Sequence, residues 1–539
     1  MSNTSTKIGL RSLPKRQIIL TMAGVLLAMF MSSLDQTIVD TAMPRIIVEL
    51  NGFAHYTWVV TVYIITSAIT IPIIGKLTDI YGRKRFYMAG IALFTVASVL
   101  SGLSHSMLQL IIFRGIQGIG AGAMIANAFT VIADVFPPAE RGKYQGIISA
   151  VFGMSAIIGP SLGGFITDRL SWHWIFFVNL PIGIANLILF VFFFPDFRPA
   201  AEHHHQIDYP GMITLSLGVA SLLLALSWGG AQYPWVSFPI ISLLALFAVL
   251  FLAFLYIETR SREPLIPLSL FGNHIVSISE TVVFLTAFGM YGAITFVPLF
   301  FQGVLGATAT ASGGYLTPMI LGQVSGSFTS GQLLSRAGGH YRVQGVFGLV
   351  LMASGIFLLS RMGPGTSYGI AVVNIILTGF GLGMTMPLYT IAVQNAVPYN
   401  SLGVATSTVP FIRSIGASVG LAIFGSTMTS RFAAEFNGRL SPVLKAILPA
   451  SQINSLAHNP QVLISAASQA ELKDFLIQAS PQGNQLFIQL QETLKQALSA
   501  ALHEVFVISL IAAAVALGVH LLIKEIPLRR EHSNAEPAN

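Results

Sequence analysis

Uninterrupted apolar runs of about 20 residues recur along this chain, separated mostly by short polar stretches. A bilayer core about 30 Å thick takes roughly 20 residues of α-helix at 1.5 Å per residue. The pattern predicts 14 transmembrane helices, at 18–43, 55–75, 86–104, 107–134, 143–167, 174–195, 211–229, 236–257, 274–301, 310–335, 343–361, 367–395, 401–430 and 503–523. Three stretches interrupt the rhythm. Residues 196–208 form a polar linker containing His203, His204 and His205, and residues 258–268 form a second, "ETRSREPLIPL". Residues 431–501, rich in Ala, Gln, Leu and Ser, are expected to form amphipathic helices lying on the bundle or on the lipid surface.

Composition agrees with this pattern. Residues are 54% hydrophobic and 9% charged, with a mean hydropathy of +0.74, where soluble globular domains carry about 25% charged residues. The absence of cysteine excludes disulfides, thiol catalysis and cysteine metal sites. The three consecutive histidines read as a solvated loop, since no other ligands lie near in sequence, and no metal site is expected. A formal charge of +7 does not mark a nucleic-acid binder, because the charge follows topology. With the N-terminus inside, 18 of the 28 Lys and Arg fall in cytoplasmic segments, Lys76, Arg83, Lys84 and Arg85 among them. The short outside loops hold only Arg45, Arg169 and Arg361. Both termini are therefore expected in the cytoplasm, with the protein multi-pass in the cytoplasmic (plasma) membrane. The basic residues Lys7, Arg11, Lys15 and Arg16 imitate the start of a signal peptide, but the following run is too long and lacks a small-residue cleavage site.

An internal repeat organises the spans. "GKLTDIYGRKR" follows the second, with Gly75 and Gly82 seven apart, and "GQLLSRAGGHYR" follows the tenth, with Gly331 and Gly338 seven apart. Ser335 stands where the first copy has Asp79. The expected division is a six-helix bundle over 1–198, two linking helices over 199–263, and a second six-helix bundle over 264–539 that includes the segment 431–501. Duplicated bundles are the layout with which secondary transporters rock around a midplane site.

Five stretches then carry a specific likeness: "LDQTIVDTAMP" (34–44), "GKLTDIYGRK" (75–84), "RGIQGIGAGAM" (114–124), "GMSAIIGPSLGG" (153–164) and "WHWIFFVNLPIG" (172–183). In this order the chain resembles the major facilitator superfamily, in its 14-span drug:proton antiporter branch of QacA/EmrB-like multidrug exporters. The resemblance implies an all-α integral membrane fold of two six-helix bundles plus two inserted helices. It also implies a transporter without cofactor, driven by the proton gradient, exchanging protons for small amphipathic compounds. An envelope adaptor outside is conceivable for relatives in two-membrane bacteria. Enzyme activity has no support, since there is no P-loop and no metal or nucleophile constellation.

The candidate residues follow from what a membrane interior penalises. Asp35, in the outer half of the first span, is the best proton carrier: burial penalises the charged form of a carboxyl, so such a group can load on one side and release on the other. Glu280, about two turns into the ninth span, is a second titrating candidate. Arg114 keeps its charge at any useful pH, so its role is to hold a neighbouring carboxylate ionised or to bind an anion. Gln36, Gln117 and Arg413 are candidates for the substrate cavity. Gly75, Asp79, Gly82 and Arg83 form a loop motif in which Asp79 can pair with Arg83 or accept from a neighbouring helix N-terminus, and the resemblance implies a gating latch there. Ile80 departs from the basic residue that the family often has after the aspartate. Asp134 is expected in a charge cluster with Glu140 and Arg141, and Asp40 is expected to be solvated. Ser155, Gly159 and Gly163 make a small-residue ridge, with Pro160 and Gly164 beside it, which the resemblance identifies as the antiporter motif. An alternative is export of a dedicated lipid-like or organic-anion substrate, anchored by Arg114 and Arg413.

Overall fold

The computed structural model describes residues 14–50, 55–195, 206–306, 309–336, 340–458, 460–463 and 465–529. The linker histidines His203, His204 and His205, and Gly338 of the second repeat copy, lie outside the described residues. Among the described residues fourteen long helices run in chain order. The first six are α1 (Lys15–Glu49), α2 (Tyr56–Tyr81), α3 (Arg83–Gly102), α4 (Met107–Val135), α5 (Pro138–Arg169) and α6 (Trp174–Phe193). Two more, α7 (Tyr209–Trp228) and α8 (Phe238–Arg260), precede the last six. These are α9 (His274–Leu299), α10 (Ala309–Arg336), α11 (Tyr341–Ser360), α12 (Tyr368–Ala396), α13 (Leu402–Arg439) and α14 (Gly483–His520).

Among the described residues 13 helices are long and apolar enough to cross a membrane, and α10 is the remaining long one. Its stretch "GQVSGSFTSGQ" (322–332) is polar because it is wedged in by small residues. A Cβ on Gly326 would stand 2.9 Å from the Phe380 carbonyl carbon of α12, and Ser327 and Ser330 are buried. Small side chains let backbones approach where lipid offers no hydrophobic drive.

Helices α1–α6 enclose two apolar clusters, centred on Met29, Phe94 and Phe190, and on Ile38, Leu110 and Phe176. Helix α7 fills the seam between the halves: Leu215, Val219 and Leu223 pack with Ile65 and Ile71 of α2 and Phe411 of α13. Helix α8 stays peripheral, with Val249, Leu252 and Tyr256 exposed.

The halves meet along two related seams at the end of the bundle where α1 begins and α14 finishes, here the terminal end. On one seam a Cβ at Gly75 of α2 would stand 2.6 Å from the Ser407 Cβ of α13. On the other, Gly142 of α5 faces Gly331 of α10, with the Gly331 Cα 3.0 Å from a Cβ built at Gly142. Contact continues along α5 to Gly153, which faces Ile320 and Val324; beyond it Met154, Ile158 and Phe165 are exposed.

The segment 431–501 departs from its expected form. Its ends are continuous with the spans: α13 runs on to Arg439, and α14 starts at Gly483, so the span expected at 503–523 is the latter part of a 38-residue helix ending at His520. Between them, among the described residues, lie three short α-helices, Pro442–Ile447, Ala450–His458 and Ala466–Ala479, and a 3-10 turn, Pro460–Leu463. Leu444, Leu448, Leu456 and Leu476 are buried and pack with Phe300, Phe432, Phe436 and Leu490. The segment therefore caps α9, α13 and α14 at the far end, and of the two surfaces expected for its apolar stripe, bundle or lipid, it lies on the bundle.

Candidate functional site

Asp35 is positioned by three helices. On α5 the small ridge lies against α1: the Thr37 hydroxyl donates to the Ser155 carbonyl at 3.2 Å, and a Cβ on Gly159 would come within 2.7 Å of the Thr37 Cβ. A Cβ on Gly163 would stand 3.0 Å from the Ile38 carbonyl. The ridge thus sets the position of α1 around the aspartate. Pro160 is exposed and Gly164 faces open space, so both lie outside this contact. Helix α4 starts at an N-cap, with the Ser106 hydroxyl accepting from the Gln109 amide at 3.3 Å, and carries Arg114 two turns on.

Asp35 and Arg114 are each 1% exposed. The Arg114 Nη1 donates to Asp35 Oδ2 at 2.5 Å and to Gln117 Oε1 at 2.8 Å. Gln117 Nε2 and Asn179 Nδ2 each donate to Asp35 Oδ1 at 2.8 Å. The guanidinium also stacks 4.2 Å above the Tyr63 ring of α2. A buried ion pair recovers its desolvation cost only when the remaining hydrogen-bonding positions are filled. Three residues donate to Asp35, an arrangement suited to a carboxylate. Gln36 and Asp40, both exposed on α1, stand outside this cluster.

At the terminal end Asp79 does both things its position suggested. Its Oδ1 lies 2.5 Å from Arg83 Nη2, and it accepts from the backbone amides of Gly403 (3.0 Å) and Val404 (2.8 Å), at the N-terminus of α13. Arg83 also donates to Asp134 at 3.1 Å and to the Thr78 hydroxyl at 2.9 Å. Gly82, at φ 91°, makes the tight turn from α2 into α3 that brings Arg83 back over Asp79. Ile80 is buried at this junction. Asp134 partners Arg83; Arg141, expected in the same charge cluster, instead donates to the carbonyls of Phe136 (2.8 Å) and Ala133 (2.7 Å) and to Gln394 (3.2 Å). In the second copy the Ser335 hydroxyl is buried without a hydrogen-bond partner.

The other half holds Glu280 and Arg413. Helix α9 opens with Asn273 as N-cap, accepting from the amides of Ile275 (3.0 Å) and Val276 (3.4 Å), and Glu280 follows two turns later, 4% exposed. Its Oε1 accepts from the Thr408 hydroxyl of α13 at 2.6 Å, and its Oε2 is buried without a partner. Arg413 lines a narrow cavity between α9, α12 and α13.

The structure therefore joins Asp35, Arg114 and Gln117 in one cluster and Gly75, Asp79, Gly82 and Arg83 in another, with Glu280 and Arg413 apart from both. Sequence reasoning missed Asn179, Tyr63 and Thr408. An asparagine inside the apolar run "FFVNLPIG" was the available signal for the first. The other two are ordinary residues for a span and carry none.

Comparison with known proteins accords with this architecture. Residues 25–421, well over half of the chain, match the family model described as Major Facilitator Superfamily, and the chain belongs to that superfamily. It is accordingly a multi-pass membrane transporter and not an enzyme. It is 39% identical over 516 residues to the multidrug transporter protein MdtP of Bacillus subtilis (strain 168), covering 95% of this chain and 94% of the relative. Multidrug resistance protein 3 of the same organism is 38% identical over 455 residues, covering 84% of this chain and 88% of its own length. The solved structure of the human organic anion transporter MFSD10 (TETRAN) shares the fold, at a TM-score of 0.57 and 14% identity, covering 90% of this chain and 100% of that one.

Proposed function

We propose that this protein is a proton-coupled antiporter exporting amphipathic drugs or toxic compounds from the cytoplasm across the plasma membrane. The observation that carries the coupling is the buried Asp35–Arg114 pair, with Gln117 and Asn179 completing the carboxylate's partners. Protonating Asp35 removes the charge that Arg114 compensates, so the contacts joining α1, α4 and α6 lose their reason to stay closed. A group that alternates between these two states at membrane depth exchanges a proton for a conformational change without a chemical step.

The names of the bacillary relatives support a broad substrate range. The distribution of Lys and Arg supports termini in the cytoplasm. With that orientation, the seams at Gly75–Ser407 and Gly142–Gly331 close the cytoplasmic side, while exposed Gln36 and Asp40 belong to the half of α1 nearer the outside. This reads as an outward-facing state, latched by Asp79 on the N-terminus of α13.

The test is a reconstituted efflux assay. Proteoliposomes with an imposed pH gradient should move a lipophilic cation such as ethidium in the wild type and not in Asp35→Asn, while the variant still inserts. Normal gradient-driven transport by Asp35→Asn overturns the coupling assignment.

A further inference from the structure

The cavity around Arg413 has a chemistry of its own. Val283 and Met290 of α9 and Leu382 of α12 make its wall apolar, Thr286, Thr385 and Tyr389 add hydroxyls, and the Arg413 side chain enters from α13. Among the described residues Arg413 makes no hydrogen bond and has no carboxylate within 4 Å. A guanidinium beside an apolar wall without a counter-ion is costly, and such a group at membrane depth ordinarily has a partner. One turn toward the terminal end from Val283, on the same face of α9, lies Glu280 with its buried, unpartnered Oε2. Its field reaches Arg413 although the two do not pair.

We infer that this cavity binds the anionic end of an amphipathic substrate on Arg413, with Glu280 serving as the internal counter-ion that its own protonation removes. This deepens the efflux reading by naming a substrate class, and it rests on that reading for its purpose. An ionised Glu280 offsets the charge of Arg413 and competes electrostatically with the ligand. A neutral Glu280 leaves the guanidinium uncompensated, and the ligand supplies the missing charge. The cavity is about 10 Å³, so it admits a ligand only as α9, α12 and α13 move apart, and Val283, Met290 and Leu382 then meet the ligand's hydrocarbon or aromatic body. Anion binding is therefore linked to uptake of a proton, so affinity falls as pH rises through the Glu280 titration. The sign is opposite for a lipophilic cation, which gains from ionised Glu280 and is repelled by Arg413.

The groups facing Glu280 are few. Thr408 and Arg413 face it from α13, Tyr389 of α12 and Tyr291 of α9 lie by Arg413, and His520 of α14 is held 2.9 Å from the Tyr389 hydroxyl. His520 is also held by the Arg342 carbonyl at 2.9 Å, so its Nε2 carries the proton and its Nδ1 accepts from Tyr389. Among the described residues it is the other group near the cavity whose side-chain type ordinarily titrates close to neutrality, and it needs its own control.

The experiment is equilibrium binding of a dansyl-labelled alkyl sulfonate, ionised throughout, to the purified full chain in lipid nanodiscs between pH 5 and pH 9. The trimethylammonium analogue of equal length is run in parallel. Wild-type affinity for the sulfonate should weaken with rising pH, by up to about tenfold per unit where one linked proton is released. Arg413→Gln should lose at least about tenfold at pH 5, as expected for removing a charged partner, and Arg413→Lys should recover part of it. Glu280→Gln should bind tightly with a flat pH profile, and His520→Gln should keep the wild-type slope. Unchanged sulfonate binding in Arg413→Gln, a slope that persists in Glu280→Gln, or a preference for the trimethylammonium probe overturns the inference. Glu280→Gln is close in shape to the native residue and keeps the test open if Arg413→Gln fails to fold. Ethidium efflux is scored separately: its loss in wild type would sink the transport reading, whereas failed sulfonate binding with intact efflux sinks this inference alone.

Discussion

The two halves each place a carboxylate and an arginine at membrane depth, and treat them differently. In the first half Asp35 and Arg114 touch at 2.5 Å, and Gln117 and Asn179 complete the aspartate's contacts. In the second, Glu280 holds one hydroxyl and leaves an oxygen unpartnered, while Arg413 stands in a cavity wall. One pair is a closed unit whose state changes only when it is broken. The other is an open unit with capacity for a ligand. Duplicated bundles share their backbone plan, and here the two copies differ in how a carboxylate and an arginine are held.

The largest expected effect comes from Asp35→Asn, which should take pH-driven efflux to background: the amide keeps the side chain's size but removes its charge and sets an NH2 against one of its donors. Equal loss from Glu280→Gln would erase the distinction between the halves. Next comes Arg114→Gln, which leaves Asp35 buried without its cation. Breaking one side of a buried pair costs about 3–5 kcal/mol, so thermal stability in detergent should fall clearly. The double variant Asp35→Asn/Arg114→Gln should recover much of that loss, and a double variant no better than Arg114→Gln alone would show that the pair is not a unit.

The loop copies sharpen the same contrast on a smaller scale. Asp79 caps α13 through two amides and pairs with Arg83, whereas its counterpart Ser335 has a buried, idle hydroxyl. Asp79→Ala should cost about 1–2 kcal/mol as a lost cap and shift the population away from the state closed at the terminal end. The chain has no cysteine, so a single introduced Ser407→Cys gives a clean thiol-labelling readout, and faster labelling with Asp79→Ala is expected. The smallest effect should come from Ser335→Asp, which offers a second carboxylate to the seam between α10 and α5. Labelling there should slow slightly, and faster labelling would mean that the second seam has no room for the charge.

Much of the site was legible because a membrane interior makes polar residues conspicuous. Asp35 and Arg114 stand out in apolar runs where each carries a penalty of several kcal/mol unless paired. The Gly75/Gly82 spacing and the Ser155/Gly159/Gly163 ridge likewise announce close backbone approach. Tyr63 and Thr408 were hidden because neither type is costly enough in a span to attract notice, whereas Asn179 stood in an apolar run and its signal went unused. For segment 431–501 the pattern left two surfaces open, because an amphipathic helix carries one apolar stripe whether it lies on lipid or on protein, and Leu444, Leu456 and Leu476 face protein.

Composition and the length of its apolar runs determined that this chain crosses a membrane many times, since runs of about 20 apolar residues match a helix spanning the bilayer core, with its backbone groups satisfied internally. Its repeats and motifs determined the superfamily. Which acid meets which base was decided only by tertiary structure, because Asp35 and Arg114 lie 79 positions apart, and a contact at that separation depends on helix packing rather than on local pattern. The same packing placed Arg413 near Glu280 without joining them, so that the buried Arg114 is paired within the fold while Arg413 stands half-buried at a cavity wall.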